Sequence, residues 1–276
     1  MREPVYELLR EVACTARRII VIHDPLAAFV IQDAALIPNA ESYVFNCLSA
    51  FTQFFNMWEG MGKPFEVENE PKKLLPSLEG CITFEIINFA VSQLDLLKNR
   101  AGDIYNSSRL VEGSYLDLLA KEVMSGNKKQ WAIGPVNPVK INPVISNSRH
   151  KCLDWLDEQE PRSVIYVSFG TTVSMTDEEI KEMAIGLGKC EQNFLWVLRD
   201  ADKGDIFEGE VRRYELPDGY EERVAGVGMV VRDWAPQLEI LAHASTGGFM
   251  SHCGWNSCTE AITYGVPILS WPMHYD

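Results

Sequence analysis

The residues best suited to chemistry sit close together in WAPQLEILAHASTGGFMSHCGWNSCTEAITYGVPILSWPMHYD, residues 234–276. Within it, an apolar run ending at Ser251 passes through His252-Cys253-Gly254 into a helical pattern that opens at Asn256. The first N–H groups of a helix have no partner inside it and carry partial positive charge. A strand, turn and helix of this kind therefore binds an anion such as phosphate without a metal. Asn256 and Ser257 add side-chain donors. Taken singly, Trp255 and His252 suit a packed interior as well as a site; their grouping points to a ligand.

Asp24 is a second candidate. It follows the β-branched run Ile19-Ile20-Val21-Ile22, which puts a carboxylate at the carboxyl end of a buried strand, where parallel sheets build their sites. Asp followed by Pro25 is also a common helix start, so Asp24 caps the next helix, serves a site, or does both. Its neighbour His23 points to the opposite face of a pleated strand and does not share a site with it.

Positioning these residues requires strands and helices in alternation, and the apolar periodicity supplies them. Helical spacing at Val5, Leu8, Leu9 and Val12 leads into the strand Ile19–Ile22 and a helix over Leu26–Leu36. Strands at 43–45 and 103–105 are each followed or preceded by helical stretches, Ile86–Lys98 and Leu110–Met124. The alternation resumes with strands at 164–167, 194–197, 229–231, 248–251 and 266–269, and helices at 176–187, 238–242 and 256–264. Such alternation predicts parallel strands joined by crossover helices. Residues 60–78 lack either period and read as a long surface loop. The Gly-Pro-Asn-rich stretch from Gly134 reads as a linker, dividing the chain into 1–134, a linker at 135–149, and 150–276. A chain that stops just after a buried strand leaves a sheet edge to be covered, so the expectation is a polypeptide cut short.

Composition narrows the function. A formal charge of −14 repels phosphate backbones and anionic lipid, so nucleic-acid and membrane-surface partners are not expected. The apolar runs are too short to cross a bilayer, and the charged N-terminus lacks a signal-peptide pattern. Seven scattered cysteines with no CxxC suggest a reduced, cytoplasmic protein. His252 beside Cys253, with no second ligand pair, makes a poor metal site, and neither metal nor cofactor is expected. Phe51, Phe54, Phe55 and Trp58 line an acceptor pocket or pack a core. Asp177, Glu178 and Glu179 suit the first turn of a helix.

The segment 234–276 closely resembles the signature box of the plant secondary-product UDP-glycosyltransferases, matching W-A-P-Q, H-C-G-W-N-S, a following Glu and G-V-P-x-x-x-W-P. The resemblance implies two Rossmann-like domains of the GT-B type, both incomplete here, with acceptor bound by the first and a UDP-sugar donor by the second. It implies that Trp234 stacks on uracil, Ala235 offers backbone hydrogen bonds, Gln237 lies nearby and Glu260 binds the ribose. It further implies that His252, Asn256, Ser257 and Thr171, in an S-F-G-T turn, approach the diphosphate. Trp255 would lie near the sugar and Asp276 on its hydroxyls. Asp24 matches the family's catalytic aspartate, which supports a histidine base that deprotonates the acceptor hydroxyl for inverting transfer. No residue here corresponds to that histidine, and the box's final residue would follow Asp276, so the isolated chain is expected to be inactive. Stretches at 103–113, 201–207 and 213–224 resemble zeatin O-glucosyltransferases in particular. UDP-glucose and a small hydroxylated acceptor are thereby implied, with flavonoids or phenols, or a non-catalytic role, as alternatives.

Overall fold

The computed structural model describes residues 1–67, 84–138, 149–170, 175–198 and 216–273. Its chain divides into two compact units, Met1–Val136 and Asn137–His274.

The first unit carries α1 (Arg2–Ala13), β1 (Ile19–His23), α2 (Ala28–Ile31), β2 (Ala40–Asn46), α3 (Ala50–Gly60) and α4 (Phe84–Leu94). It continues with β3 (Gly102–Tyr105), α5 (Arg109–Leu119), α6 (Glu122–Ser125) and β4 (Lys129–Ala132). Its four strands are all parallel, in the order β1-β2-β3-β4. Alternation places Tyr105 toward the helices, where it packs with Phe54, Phe55, Trp58, Leu116 and Leu119. The aromatic cluster is thus core: Phe54, Phe55 and Trp58 are buried on α3. Phe51 is half-buried and meets Tyr115 edge to face at 5.0 Å.

The second unit carries α7 (Lys151–Asp157), β5 (Val164–Ser168), α8 (Asp177–Lys189), β6 (Asn193–Val197), α9 (Tyr220–Arg223) and β7 (Gly228–Val231). α10 (Gln237–Leu241), β8 (Thr246–Ser251), α11 (Trp255–Tyr264) and β9 (Ile268–Ser270) follow. The five strands are parallel, ordered β7-β6-β5-β8-β9. The central strands β5 and β6 are buried on both faces and read as nearly continuous apolar runs, while the outer strands β7 and β9 are more open. Tyr166, Leu195, Val197 and Phe249 pack toward α7, α10 and α11, while Val167, Phe194 and Trp196 pack toward α8. Thr176 and Glu179 close a capping box at the head of α8, whose first turn holds the acidic trio as expected.

Several elements differ from the periodicity reading. Residues 26–36 form not one helix but α2 between two 3-10 turns, Pro25–Ala27 and Gln32–Leu36. The stretch 110–124 breaks into α5 and α6, with Glu112 non-helical inside α5. α3, β4 and α7 were not anticipated: α3 is apolar on most sides, β4 is only four residues long, and α7 is barely two turns. The last strand begins at Ile268 rather than Val266. The loop expected over 60–78 has neither helix nor strand at 61–67, and its remainder lies outside the described residues. So does 139–148 of the expected linker.

Candidate active site

In the second unit, crossovers run from β5 outward through β6 to β7, and the chain then returns to the other side of β5 with β8 and β9. The direction of winding reverses between β5 and β8. An open parallel sheet binds its ligands in the crevice beyond the carboxyl ends of such a strand pair, because the two following loops there diverge. Ser168 and Ser251, the last residues of β5 and β8, are register partners, so Gly170 and His252 stand at the mouth of that crevice.

The two turns are fitted to each other. Gly170 has φ +76°, and a Cβ there would lie 2.6 Å from Cε1 of His252, which is itself buried. Cys253 also takes a left-handed conformation, φ 72°, and its N–H donates to Ser251 Oγ at 3.1 Å. Its carbonyl accepts from the Cys258 thiol at 3.2 Å. These contacts wind the chain from β8 into α11 within three residues. Gly254, the N-cap, brings no side chain to the helix head, where Trp255 and Ser257 are half-buried and Asn256 is exposed. The N-terminus of a ten-residue helix is therefore presented at the switch point.

Beside it, the loop entering α10 exposes Trp234 to 65%, unusually open for an indole, while Ala235 is buried. Gln237 opens α10 and is bonded on three sides. Its Nε2 donates to Glu260 Oε2 at 2.7 Å and to Ser257 Oγ at 3.1 Å, both on α11. Its Oε1 accepts from the Tyr166 hydroxyl on β5 at 3.1 Å. Burial raises the Glu260 carboxyl above the ordinary glutamate range, partly offset by the Gln237 amide. The result is a carboxylate and a hydroxyl held side by side on the face of α11 nearest α10, able to accept from and donate to a polyhydroxylated ligand.

In the first unit, Asp24 follows β1 directly. Its Oδ1 accepts from Leu26 N at 2.8 Å, capping the 3-10 turn Pro25–Ala27. The capping reading of this residue therefore holds, and the side chain remains exposed. His23 is buried on the opposite face with Ile19, its Nδ1 2.9 Å from the Asp24 carbonyl. Burial pushes up the thiol of Cys47, just past β2, and the Asp24 charge adds to it. Nearby, Glu112 reaches the head of α3: its carboxylate accepts from Ala50 N at 2.9 Å, Phe51 N at 3.0 Å and Ser107 Oγ at 2.6 Å.

Of the residues singled out by sequence, the structure brings Gln237, Ser257 and Glu260 into direct contact and sets His252 and Trp255–Ser257 at one strand-to-helix turn. Thr171 and Asp276 lie outside the described residues. Sequence reasoning missed Tyr166 and Glu112. A tyrosine inside an apolar strand was the available signal, since a buried phenol needs a partner for its hydroxyl. Among the described residues there is no group of three or more His, Cys, Asp or Glu arranged to hold a metal, and no helix long and apolar enough to cross a membrane.

Comparison with known proteins agrees with this geometry. The glycosyltransferase N-terminal domain family matches residues 1–138, and the family described as UDP-glucoronosyl and UDP-glucosyl transferase matches 145–276. The chain is 56% identical to a zeatin O-glucosyltransferase of Phaseolus lunatus over 278 aligned residues, all of this chain and 60% of that protein. It is 53% identical to a zeatin O-xylosyltransferase of Phaseolus vulgaris, again over its whole length and 61% of the relative. The chain thus spans about 60% of the length of these curated relatives. A UGT transferase from Siraitia grosvenorii, solved in complex with UDP, superposes with a TM-score of 0.79 at 27% identity, over 99% of this chain and 67% of that one. With two parallel α/β units and matches to the family along both, the chain belongs to the UDP-glycosyltransferases.

Proposed function

We propose that these residues form the donor-binding core and part of the acceptor side of an O-glucosyltransferase that uses UDP-glucose, with the cytokinin zeatin as acceptor. The observation that carries this reading is the end-to-end match, at 56% identity, to a zeatin O-glucosyltransferase. In the second unit, Trp234 receives the uracil face, Ala235 its edge and Glu260 the ribose, with Gln237 beside it. Stacking on an indole contributes roughly 1–3 kcal/mol. His252, Asn256, Ser257 and Thr171 hold the diphosphate, aided by the head of α11. Trp255 and Asp276 are the residues we assign to the sugar.

The reaction is a displacement with inversion. An acceptor hydroxyl gives its proton to a base, its oxygen bonds to the anomeric carbon, and the bond from that carbon to the diphosphate breaks to release UDP. Asp24 stands at the carboxyl end of β1, where it orients a histidine base that has no counterpart among these residues. The 276 residues alone are therefore expected to bind UDP and transfer nothing.

A second reading concerns the sugar: the 53% identity to a xylosyltransferase makes UDP-xylose a specific rival to UDP-glucose. The test is a transfer assay on the polypeptide extended to the length of its relatives, with each donor offered against zeatin and a flavonol. Glucosylated zeatin supports the proposal. Xylosylated zeatin moves the donor assignment, glucosylated flavonol moves the acceptor, and no transfer from any pair overturns it.

A further inference from the structure

We infer that Tyr166, a core residue of β5, is a positioning residue for donor recognition, acting through Gln237 to hold Glu260 in place. The inference rests on the donor-site reading above, in which Glu260 receives the ribose hydroxyls.

A glutamine side chain has an acceptor at one end and two donors at the other, and a half-turn about its last bond exchanges them. Both ends of Gln237 are occupied. Nε2 spans Ser257 Oγ and Glu260 Oε2, at 3.1 and 2.7 Å, which uses both of its hydrogens. Turned over, its carbonyl would face a carboxylate that in its ionised state only accepts. The Tyr166 hydroxyl, 3.1 Å from Oε1, rewards the observed orientation by donating to the carbonyl. Tyr166 is itself held by packing: it is buried and stacked on Phe249, with ring centroids 4.9 Å apart at 16°. A rigid strand residue thereby orients an amide on α10, and the amide holds the carboxylate on α11. Side chains aimed in this way lose less entropy when a ligand arrives.

The consequence is a division of labour. Tyr166 touches no donor atom, but the preference for ribose over a sugar lacking the 2′-hydroxyl depends on it. The test is calorimetric titration of the 276-residue chain and its Tyr166→Phe variant with UDP and with 2′-deoxy-UDP, alongside thermal unfolding. Phenylalanine keeps the ring stack and removes only the hydroxyl. Wild-type protein should prefer UDP by roughly tenfold, the worth of one hydrogen bond to a charged group. The variant should lose most of that preference, down to about threefold or less, with 2′-deoxy-UDP binding weakened less than UDP binding. A variant that keeps the full preference overturns the inference. So does one that unfolds early and loses both ligands equally, since that marks a purely structural role. Wild-type protein that binds neither nucleotide, or both alike, sinks the underlying reading of Glu260 instead.

Discussion

Gly170 and His252 meet across the switch point with no room for a methyl group: a Cβ on Gly170 would stand 2.6 Å from the imidazole Cε1. The turn after β5 and the turn after β8 are thus shaped as a pair, and the left-handed φ of +76° demands glycine a second time over. Gly170→Ala is expected to lower stability by about 1–2 kcal/mol from backbone strain. It should also push the His252 ring aside and weaken UDP binding roughly tenfold, the worth of a displaced charge-assisted contact. Thermal unfolding and UDP titration read the two effects separately; unchanged affinity would remove His252 from the diphosphate site.

Trp234 offers the opposite combination, an indole about two-thirds exposed. Trp234→Ala should leave stability within about 0.5 kcal/mol of wild type, as for most surface changes. UDP binding should still weaken by roughly 1–3 kcal/mol through lost stacking. Equal affinity in both proteins would mean that uracil sits elsewhere.

Glu260 predicts a pH dependence. Its carboxyl lies above the ordinary value of 4.5 because burial disfavours its charge. A raised folded-state value means that the protonated form is favoured on folding. The associated stability is full below the unfolded value and lost as pH rises through the folded one. Ligand binding runs the other way, since the ribose hydroxyls need the ionised acceptor. Affinity for UDP-glucose, whose doubly esterified diphosphate does not titrate in this window, should therefore fall on acidification with a midpoint above 4.5. The Glu260→Gln protein should bind more weakly at neutral pH and lose that acid limb. Matching profiles in the two proteins would exclude Glu260 as the titrating group.

Glu112 tests the first unit. Its carboxylate satisfies two backbone donors at the head of α3 and the Ser107 hydroxyl, with the Ala50 and Ser107 bonds buried and the Phe51 bond half-buried. Glu112→Ala leaves these groups unpaired and should cost roughly 1.5–3 kcal/mol, the range for hydrogen bonds to charged groups. Glu112→Gln keeps the shape and should cost less. Chemical denaturation followed by far-ultraviolet circular dichroism distinguishes the two.

Much of the fold was legible because parallel strands buried on both faces announce themselves as β-branched and aromatic runs, as at Val164–Ser168 and Asn193–Val197. α8 was equally plain, with its acidic first turn. What escaped was either short, like β4, or apolar on several sides, like α3, whose phenylalanines carry no clean helical stripe. The site followed the same division. The strand-to-helix turn at His252–Asn256 could be read locally, since its residues are adjacent in the chain. The contact of Tyr166 with Gln237 spans 71 residues, and no periodicity encodes such a pairing. Asp24 fell between, because one position served both as helix cap and as strand-end carboxylate.

The openness of Trp234 has an optical consequence. An indole bathed in water emits at longer wavelength than one in a dry interior, and Trp196, wholly buried, marks the other extreme. A dissolved quencher reaches the first and not the second. If a nucleobase settles on Trp234, it shields that ring and dims its share of the red-shifted emission, to which the part-exposed Trp131 and Trp271 also contribute, while the blue component stays; the part of the quenching lost in a Trp234→Phe protein is the donor site's own signal.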